Sequence, residues 1–467
     1  MMWKISSFIL LITGLTFSYC TNPGITLRVN QKGLNYANDT GKEILMQQVE
    51  DVVVTDISGE KGSLKFNITN MKLENLTIGS SAMKIVPSIG IEISISNSNA
   101  AVRSQWHADN GSGSIDGTPV LQLSEVNMTM VFNISRNDTG FPLFSVVNCS
   151  VNIPKIDLNL DPKMKEMFMK EYTEKSLQDN ITAALNDKLC EGLTTQFTKW
   201  AANITSFPGW YNITKYVALN YNLMNPPVFS ENSIEINITG LFFATKNGTN
   251  LTFVPENFKL ENVTNSMLSI GISPEAMRSA CQSFNDAQYA ASFTHTQLGN
   301  IIQNWTGDAN FTKPRGRLTV NDCPNFIMNP NGMTVTFLGM IKLLTTTPNE
   351  IVHSVVNISV EANVSFTKLC ISQNNSNVIL TGSVSSNRSV TCYCSSCQGD
   401  QKKIDNLLNA VKRICQGNLI SYFGNMLQSG LGAPRIPFLN LFNTTCSIRT
   451  NFLQIDTENS YNFSSWS

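Results

Sequence analysis

Residues 89–95 read Ile89-Gly90-Ile91-Glu92-Ile93-Ser94-Ile95. An isoleucine at every second position, with small or charged residues between, has the two-residue period of a β-strand with one dry and one wet face. The pattern recurs in Leu64-Lys65-Phe66-Asn67-Ile68 and in Val126-Asn127-Met128-Thr129-Met130-Val131, and Val52-Val53-Val54 opens the series. Gly, Asn and Ser turns separate the runs. The connections are too short for crossover helices, so residues 51–160 are predicted to form an antiparallel meander.

On either side the period changes to that of a helix. Upstream, Ile25, Val29, Leu34, Ala37, Ile44, Leu45 and Val49 fall near one stripe, which predicts an amphipathic helix over residues 24–50. Gly33 and Gly41 interrupt it and mark places where another backbone can approach closely. Downstream, Asp161 as cap and Pro162 in the first turn open a predicted helix over 162–203. Met164, Phe168, Tyr172, Leu177, Ile181, Leu185 and Leu189 form its apolar face. Unbroken, it would run ~60 Å at 1.5 Å per residue, the length of a helix laid along an elongated barrel.

Pro208, Pro226 and Pro227 then punctuate an irregular segment. Beyond it, strands are predicted near 234–244 and 251–254, short helices near 274–285 and 296–304, and strands through 315–391. A last helix is predicted over 400–430, with Ile404, Leu407, Leu408, Val411, Ile414, Ile420 and Phe423 as its stripe. Helix, antiparallel strands, helix therefore occurs twice, which makes the fold class α+β.

Composition narrows the function. The chain has 467 residues, a formal net charge of -1, pI ≈ 6.3 and 14% charged residues. That balance excludes an electrostatic footprint for nucleic acid or for a strongly anionic membrane. Met1-Met2-Trp3-Lys4 followed by an apolar run from Ile5 to Phe17 reads as a signal peptide over residues 1–20, cleaved near Cys20-Thr21. The run is too short for a membrane span, which needs ~20 residues. About 23 Asn-x-Ser/Thr sequons, among them Asn67, Asn75, Asn127, Asn133, Asn203, Asn237, Asn304, Asn357 and Asn443, point to a secreted glycoprotein. Of 11 cysteines, ten remain once Cys20 leaves with the signal. In an extracellular chain they are expected in disulfides. Cys149 and Cys190 are the only pair in the first half and are expected to bond. Cys281, Cys323, Cys370, Cys392, Cys394, Cys397, Cys415 and Cys446 leave many connectivities open.

The mature start, Asn22-Pro23-Gly24-Ile25-Thr26-Leu27-Arg28-Val29-Asn30-Gln31-Lys32-Gly33-Leu34-Asn35-Tyr36-Ala37, resembles the opening of the bactericidal/permeability-increasing and lipopolysaccharide-binding protein family. Val86-Pro87-Ser88-Ile89-Gly90-Ile91, Ile95-Ser96-Asn97-Ser98-Asn99 and Trp106 are similar to its second strand pair. Cys149 and Cys190 sit where that family has its single disulfide. Asn220-Tyr221-Asn222-Leu223 with Pro226-Pro227 is similar to its interdomain segment. Asn265-Ser266-Met267-Leu268-Ser269-Ile270-Gly271-Ile272-Ser273 and Phe452-Leu453-Gln454-Ile455 resemble its second domain. The resemblance implies a boomerang of two elongated barrels, each an antiparallel sheet wrapped on long helices, joined by a central sheet. It implies an N-terminal lipid-binding barrel over 21–215, linker and central sheet over 216–240, and a C-terminal barrel over 241–467. It also implies apolar pockets for phospholipid acyl chains. The helix stripes nominate Ile25, Val29, Leu34, Leu45, Val49, Phe168, Tyr172, Ile181 and Leu185 as pocket residues.

One departure bears on the ligand. Antibacterial members of the family carry Lys/Arg clusters at the tip of the first barrel. Here the corresponding loops read His107-Ala108-Asp109-Asn110-Gly111-Ser112-Gly113 and Ser58-Gly59-Glu60-Lys61-Gly62-Ser63, and residues 21–230 hold 17 basic against 20 acidic side chains. Lipopolysaccharide phosphates call for Arg and Lys. Enzyme signatures are missing too. His107, His295 and His353 are scattered, and no Gly-x-Ser-x-Gly elbow, P-loop or dinucleotide fingerprint is present, which disfavours a lipase. Cys392-Tyr393-Cys394-Ser395-Ser396-Cys397 could be a metal or redox motif, but disulfides fit a secreted chain better.

The expected function is non-covalent sequestration of phospholipid or another amphipathic lipid by a secreted protein, with transient contact at lipid surfaces and exchange there. No enzyme activity, metal, cofactor beyond the lipid, nucleic-acid partner or membrane span is expected. The alternatives are an innate-immune binder of bacterial lipopolysaccharide with antibacterial activity, and a receptor ligand that uses lipid only structurally.

Overall fold

The computed structural model describes residues 22–48, 53–205, 209–245, 253–263, 265–286, 292–293, 312–346, 352–374, 377–395, 397–419, 424–425, 428, 431–433 and 439–461. The predicted signal peptide, the helix expected near 296–304, and residues 251–252 of the strand expected near 251–254 lie outside them, and residues 253–254 are irregular chain and not strand.

The single helix predicted over 24–50 is corrected at its start. Residues Ile25–Asn30 form strand β1, and only Gln31–Gln48 is helical (α1). Ile25, Leu27 and Val29 are spaced by two, not by three or four, and the intervening Thr26, Arg28 and Asn30 are the more buried set. Arg28 is 4% exposed. Its guanidinium donates to the Glu235 carboxylate at 3.0 Å, to Asn262 Oδ1 at 2.8 Å and to the Glu261 carbonyl at 3.2 Å. These partners lie more than two hundred residues away, so local periodicity could not reveal a polar face that is buried. Gly33 marks the close approach anticipated for it, since a Cβ there would fall 2.7 Å from the Met267 carbonyl oxygen. Gly41 meets nothing within 4 Å.

β1 sits inside a six-stranded antiparallel sheet. It lies between β14 (Ser233–Ile238) and β16 (Leu268–Ile272), flanked by β13 (Val228–Phe229) on one side and by β24 (Phe452–Tyr461) and β23 (Leu439–Arg449) on the other. The sheet thus recruits strands far outside the 216–240 segment. Its polar face is held by buried side chains: Ser269 Oγ donates to Asp456 Oδ1 at 2.6 Å, and Gln454 Nε2 donates to both Asp456 oxygens at 3.1 Å.

The predicted meander is a nine-stranded antiparallel sheet of β2 (Val53–Val54), β3 (Ile57–Lys61), β4 (Leu64–Thr77), β5 (Ser80–Val86), β6 (Gly90–Asp109), β7 (Ser114–Gly117), β8 (Val120–Arg136), β9 (Pro142–Asn152) and β10 (Lys155–Leu158). The forty-residue helix against it is broken in two, α2 (Pro162–Met169) and α3 (Glu174–Thr205). Asp161 caps α2 as expected, accepting from the Met164 N–H at 2.9 Å. The break follows from a second cap: Thr173 Oγ1 accepts from the Ser176 N–H at 3.2 Å, and Ser176 Oγ accepts from the Thr173 N–H at 3.0 Å.

A small sheet of β11 (Trp210–Asn212), β12 (Val217–Asn220) and β15 (Leu241–Ala244) leads to the second half. There β17 (Ser292–Phe293), β18 (Thr312–Asn329), β19 (Gly332–Thr346), β20 (Val352–Asn374), β21 (Asn377–Tyr393) and β22 (Leu431–Ala433) pair in sequence order. Helix α4 (Pro274–Asp286) packs on β18, and α5 (Gln401–Ile414) packs on β21. The helix predicted to 430 passes at Cys415–Leu419 into a π-helical turn, and Ile420 and Phe423 lie outside the described residues. The α+β two-barrel architecture stands. No helix among the described residues is long and apolar enough to cross a membrane.

Candidate functional site

The first barrel is packed differently along its length. At its far end Phe66, Trp106, Phe168 and Tyr172 form an aromatic plug. Phe168 lies 5.4 Å from the Phe66 ring and 5.6 Å from Trp106, edge on, and Phe66 faces Tyr172 at 6.4 Å. Trp106 Nε1 donates to Ser104 Oγ at 2.7 Å, which in turn donates to the Pro119 carbonyl at 3.1 Å. Every polar atom of the indole is therefore satisfied in the core. Three polar side chains at this end are engaged. Lys61 Nζ lies over the Tyr172 ring at 4.3 Å, His107 Nδ1 pairs with Asp116 at 2.7 Å, and Lys165 pairs with Glu174 at 3.3 Å. Burial raises the Tyr172 phenol above its ordinary pKa, so it stays neutral.

Further along the same barrel the sheet and helix separate into a cleft. Leu73 and Leu76 of β4, Ile95, Ser98 and Ala100 of β6, Leu123, Val126 and Met128 of β8, Val151 of β9, and Leu189 and Leu193 of α3 line it. It encloses a cavity of ≈ 60 Å³, so its walls must part further to admit an acyl chain.

The cleft has an identifiable cause in the sheet. The β4–β6 register shifts between Thr69 and Lys72 and again between Glu74 and Thr77. The β6–β8 register shifts between Ile95 and Ser98 and between Ser98 and Ala100. Asn70, Asn75, Asn97 and Glu125 adopt positive φ at the same level, 51°, 51°, 53° and 58°. Each shift is a bulge, which bends the strand and re-aims its side chains. The kinks are pinned by amides: Asn127 Nδ2 donates to the Glu125 carbonyl at 2.9 Å, and Asn127 Oδ1 accepts from the Asn97 N–H at 3.3 Å. The Cys149–Cys190 disulfide, with Cα atoms 5.8 Å apart, joins β9 to α3 next to Val151 and Leu189. It fixes one cleft wall to the other.

The cleft surface is wholly apolar, and one polar atom lies just beneath it. Ser98 is 1% exposed, and its Oγ has no hydrogen-bond partner. A buried hydroxyl left unpaired costs about 1–3 kcal/mol, a cost that an acceptor entering the cleft would remove.

The nominated pocket residues separate into groups. Phe168, Tyr172, Ile181 and Leu185 are buried in the first-barrel core with Leu73, Leu123, Val151 and Leu189, but they do not line the cleft. Leu34 packs with Ile85, Ile91, Phe132, Phe229 and Ile234 near the central sheet. Ile25 and Val29, nominated as helical, point from β1 toward the second-barrel core. The Leu45 side chain and Val49 lie outside the described residues. The α3 stripe Ile181, Leu185, Leu189, Leu193 runs from solid core into the cleft at four-residue spacing, so its later members are the lining ones. Among the described residues no group of three or more His, Cys, Asp or Glu could hold a metal ion.

Residues 33–199 match the model of the LBP / BPI / CETP family, N-terminal domain. The chain is 23% identical to the BPI fold-containing family C protein of Mus musculus over 486 residues, covering 98% of this chain and 93% of that protein. It is 22% identical to the bactericidal permeability-increasing protein of Sebastes schlegelii over 476 residues, covering 96% and 97%. A crystal structure of lipopolysaccharide binding protein superposes with a TM-score of 0.55 at 19% identity, covering 94% of this chain and 99% of that one.

Proposed function

We propose that the chain, as a member of the bactericidal/permeability-increasing and lipopolysaccharide-binding family, is a secreted phospholipid carrier that seats an acyl chain in the first-barrel cleft. The observation that carries the proposal is the lining, which is apolar apart from Ser98. Each methylene moved from water into such a wall contributes ~0.8 kcal/mol, so acyl chains supply the affinity without a charged lure. The Ser98 hydroxyl donates to an ester carbonyl oxygen of the lipid. Residues 21–215 act as the lipid-binding barrel, 216–240 as linker and part of the central sheet, and 241–467 as the second barrel. Exposed Asn67, Asn75 and Asn148 carry glycans on the outer sheet face.

Binding of bacterial lipopolysaccharide is the competing reading, since relatives bear that name. The far end of the barrel weighs against it, because Lys61, His107 and Lys165 are already engaged there. Protein from a eukaryotic secretory host, examined by native mass spectrometry with lipid extraction, should carry stoichiometric phospholipid. Uptake of labelled phospholipid should not change with ionic strength, whereas an anionic clamp weakens as salt screens it. Empty protein that also refuses labelled phospholipid would overturn the carrier reading. Strongly salt-dependent binding of lipopolysaccharide alone would replace it with the second.

A further inference from the structure

We propose that the mature protein carries two disulfides beyond the three in the structure, Cys281–Cys323 and Cys392–Cys415, so that all ten of its cysteines are paired. The proposal rests on the reading that the chain is secreted, through a compartment where disulfides persist.

The structure already joins Cys149 to Cys190, Cys370 to Cys446 and Cys394 to Cys397. The other four described cysteines stand as thiols, and they fall into two adjacent couples. Cys281 lies on α4 and Cys323 on β18, two elements packed on each other; Cys323 Sγ donates to Oε1 of Gln282, the residue next to Cys281, at 3.4 Å, and the Cys323 thiol is near enough to lower the Cys281 pKa against the rise that burial causes. Cys392 lies near the end of β21, and Cys415 directly follows α5, which packs on that strand. Both belong to one apolar cluster, where Cys415 is 1% exposed and the neighbouring Cys392 adds to the rise in its pKa that burial causes.

The second couple also has a counterpart. In the first barrel a late strand, β9, is tied by Cys149 to the long helix that follows, through Cys190. In the second barrel a late strand, β21, presents Cys392 to the end of the helix that follows, at Cys415. The same joint between sheet and helix is thus built twice. A metal-thiolate reading of Cys392, Cys394 and Cys397 loses two of its ligands to the Cys394–Cys397 bond.

Each bond forms by exchange with an oxidised dithiol oxidoreductase of the secretory pathway. A thiolate of the couple attacks the partner's disulfide and forms a mixed disulfide. The second thiolate then attacks this chain's sulfur in that bond, releasing the partner as its dithiol. The couple loses two protons, and its two electrons reduce the partner. Exchange belongs before core closure, because burial pushes the Cys392 thiol up to about 11 and Cys415 up to about 12, leaving almost no thiolate in the folded chain.

The test is maleimide labelling of the secreted, full-length, unreduced protein in denaturant, read by intact mass after deglycosylation and by non-reduced peptide mapping. The expected result is no added maleimide, with Cys281–Cys323 and Cys392–Cys415 linked peptides. Single variants sharpen the sign. Cys281→Ser should gain one label, at Cys323, and Cys415→Ser should gain one at Cys392. Four labelled thiols in the unsubstituted protein, lost one at a time in those variants, would overturn the proposal, as would a different pairing such as Cys392 with Cys397. Labelling of all ten would overturn it together with the secretory reading, whereas labelling of these four alone leaves secretion intact.

Discussion

The two ends of the first barrel are built from the same strands and the same helical stripe, yet one is solid and the other hollow. At the far end β4 and β6 pair in unbroken register from Lys65 to Thr69, and large rings from both sides fill the space. At the cleft the register slips four times and four residues other than glycine take positive φ. The side chains change as well: aromatic rings fill the far end, whereas aliphatic residues with Ser98 and Ala100 line the cleft, so space for a ligand comes from bulges in the sheet together with smaller side chains.

This contrast can be attacked first at the plug. Phe168→Ala should cost about 3–5 kcal/mol, as large-to-small changes in rigid cores do. Denaturant titration measures it, and lipid uptake per folded molecule should stay unchanged. A loss of uptake at constant folded fraction would mean that the plug belongs to the site. The converse change is Ala100→Phe, which fills the cleft. Labelled-lipid uptake should fall about tenfold or more, equivalent to ~1.4 kcal/mol. Stability should change by less than about 3 kcal/mol. Equal uptake by this variant would relocate the site. A narrower probe is Ser98→Ala, predicted to weaken binding of ester lipids by ~0.5–1.5 kcal/mol while leaving a hydrocarbon probe unaffected. Equal losses for both probes would show that the hydroxyl makes no bond to the ester.

Two smaller effects test the backbone argument. Glu125→Gly removes a side chain from a left-handed position, φ 58°, and should stabilise the fold by about 1 kcal/mol in thermal melts. The lost Lys155 partnership is exposed and offsets little of that. The smallest effect is on acid stability. The Arg103 guanidinium, hydrogen-bonded at 2.9 Å, holds the Glu74 carboxyl below the usual range, and Lys188 with Thr55 does the same for Glu191. Groups depressed in the folded state contribute stability that is present above their unfolded pKa and lost as pH falls through the folded one. Melting temperature should therefore decline below the ordinary carboxylate range. Glu74→Gln should make that decline slightly shallower, and an unchanged slope would leave the Arg103 bond without weight.

Much of this was legible in the residues. Alternation in 64–68, 89–95 and 126–131 gave strands at the right places, and Asp161 with Pro162 gave the start of α2, because these signals act within a few residues. The strand at 25–30 was read as helix because its polar side is buried by residues 235 and 261–262, a long-range event that no local period encodes. The gap between α2 and α3 was legible in principle from Thr173 and Ser176, a reciprocal cap hidden under a continuous apolar stripe. The cleft was not legible. Leu189 lay on the stripe, but which stripe members meet empty space depends on bulges set by pairing between strands.

The interleaved central sheet also bears on the order in which the chain can mature. β1 emerges early from the ribosome, but its neighbours β14 and β16 follow more than two hundred residues later, and β24 is made almost last. With Arg28 and Thr26 waiting for partners, this segment remains an open edge through most of translation, the kind of surface that invites aggregation. Such non-local pairing is slow to close. Once β14 and β16 close on β1, the open edge passes to β16, and a chain cut short before β24 would display that second edge permanently, so quality control in the cell has a late event by which to tell a finished molecule from an abandoned one.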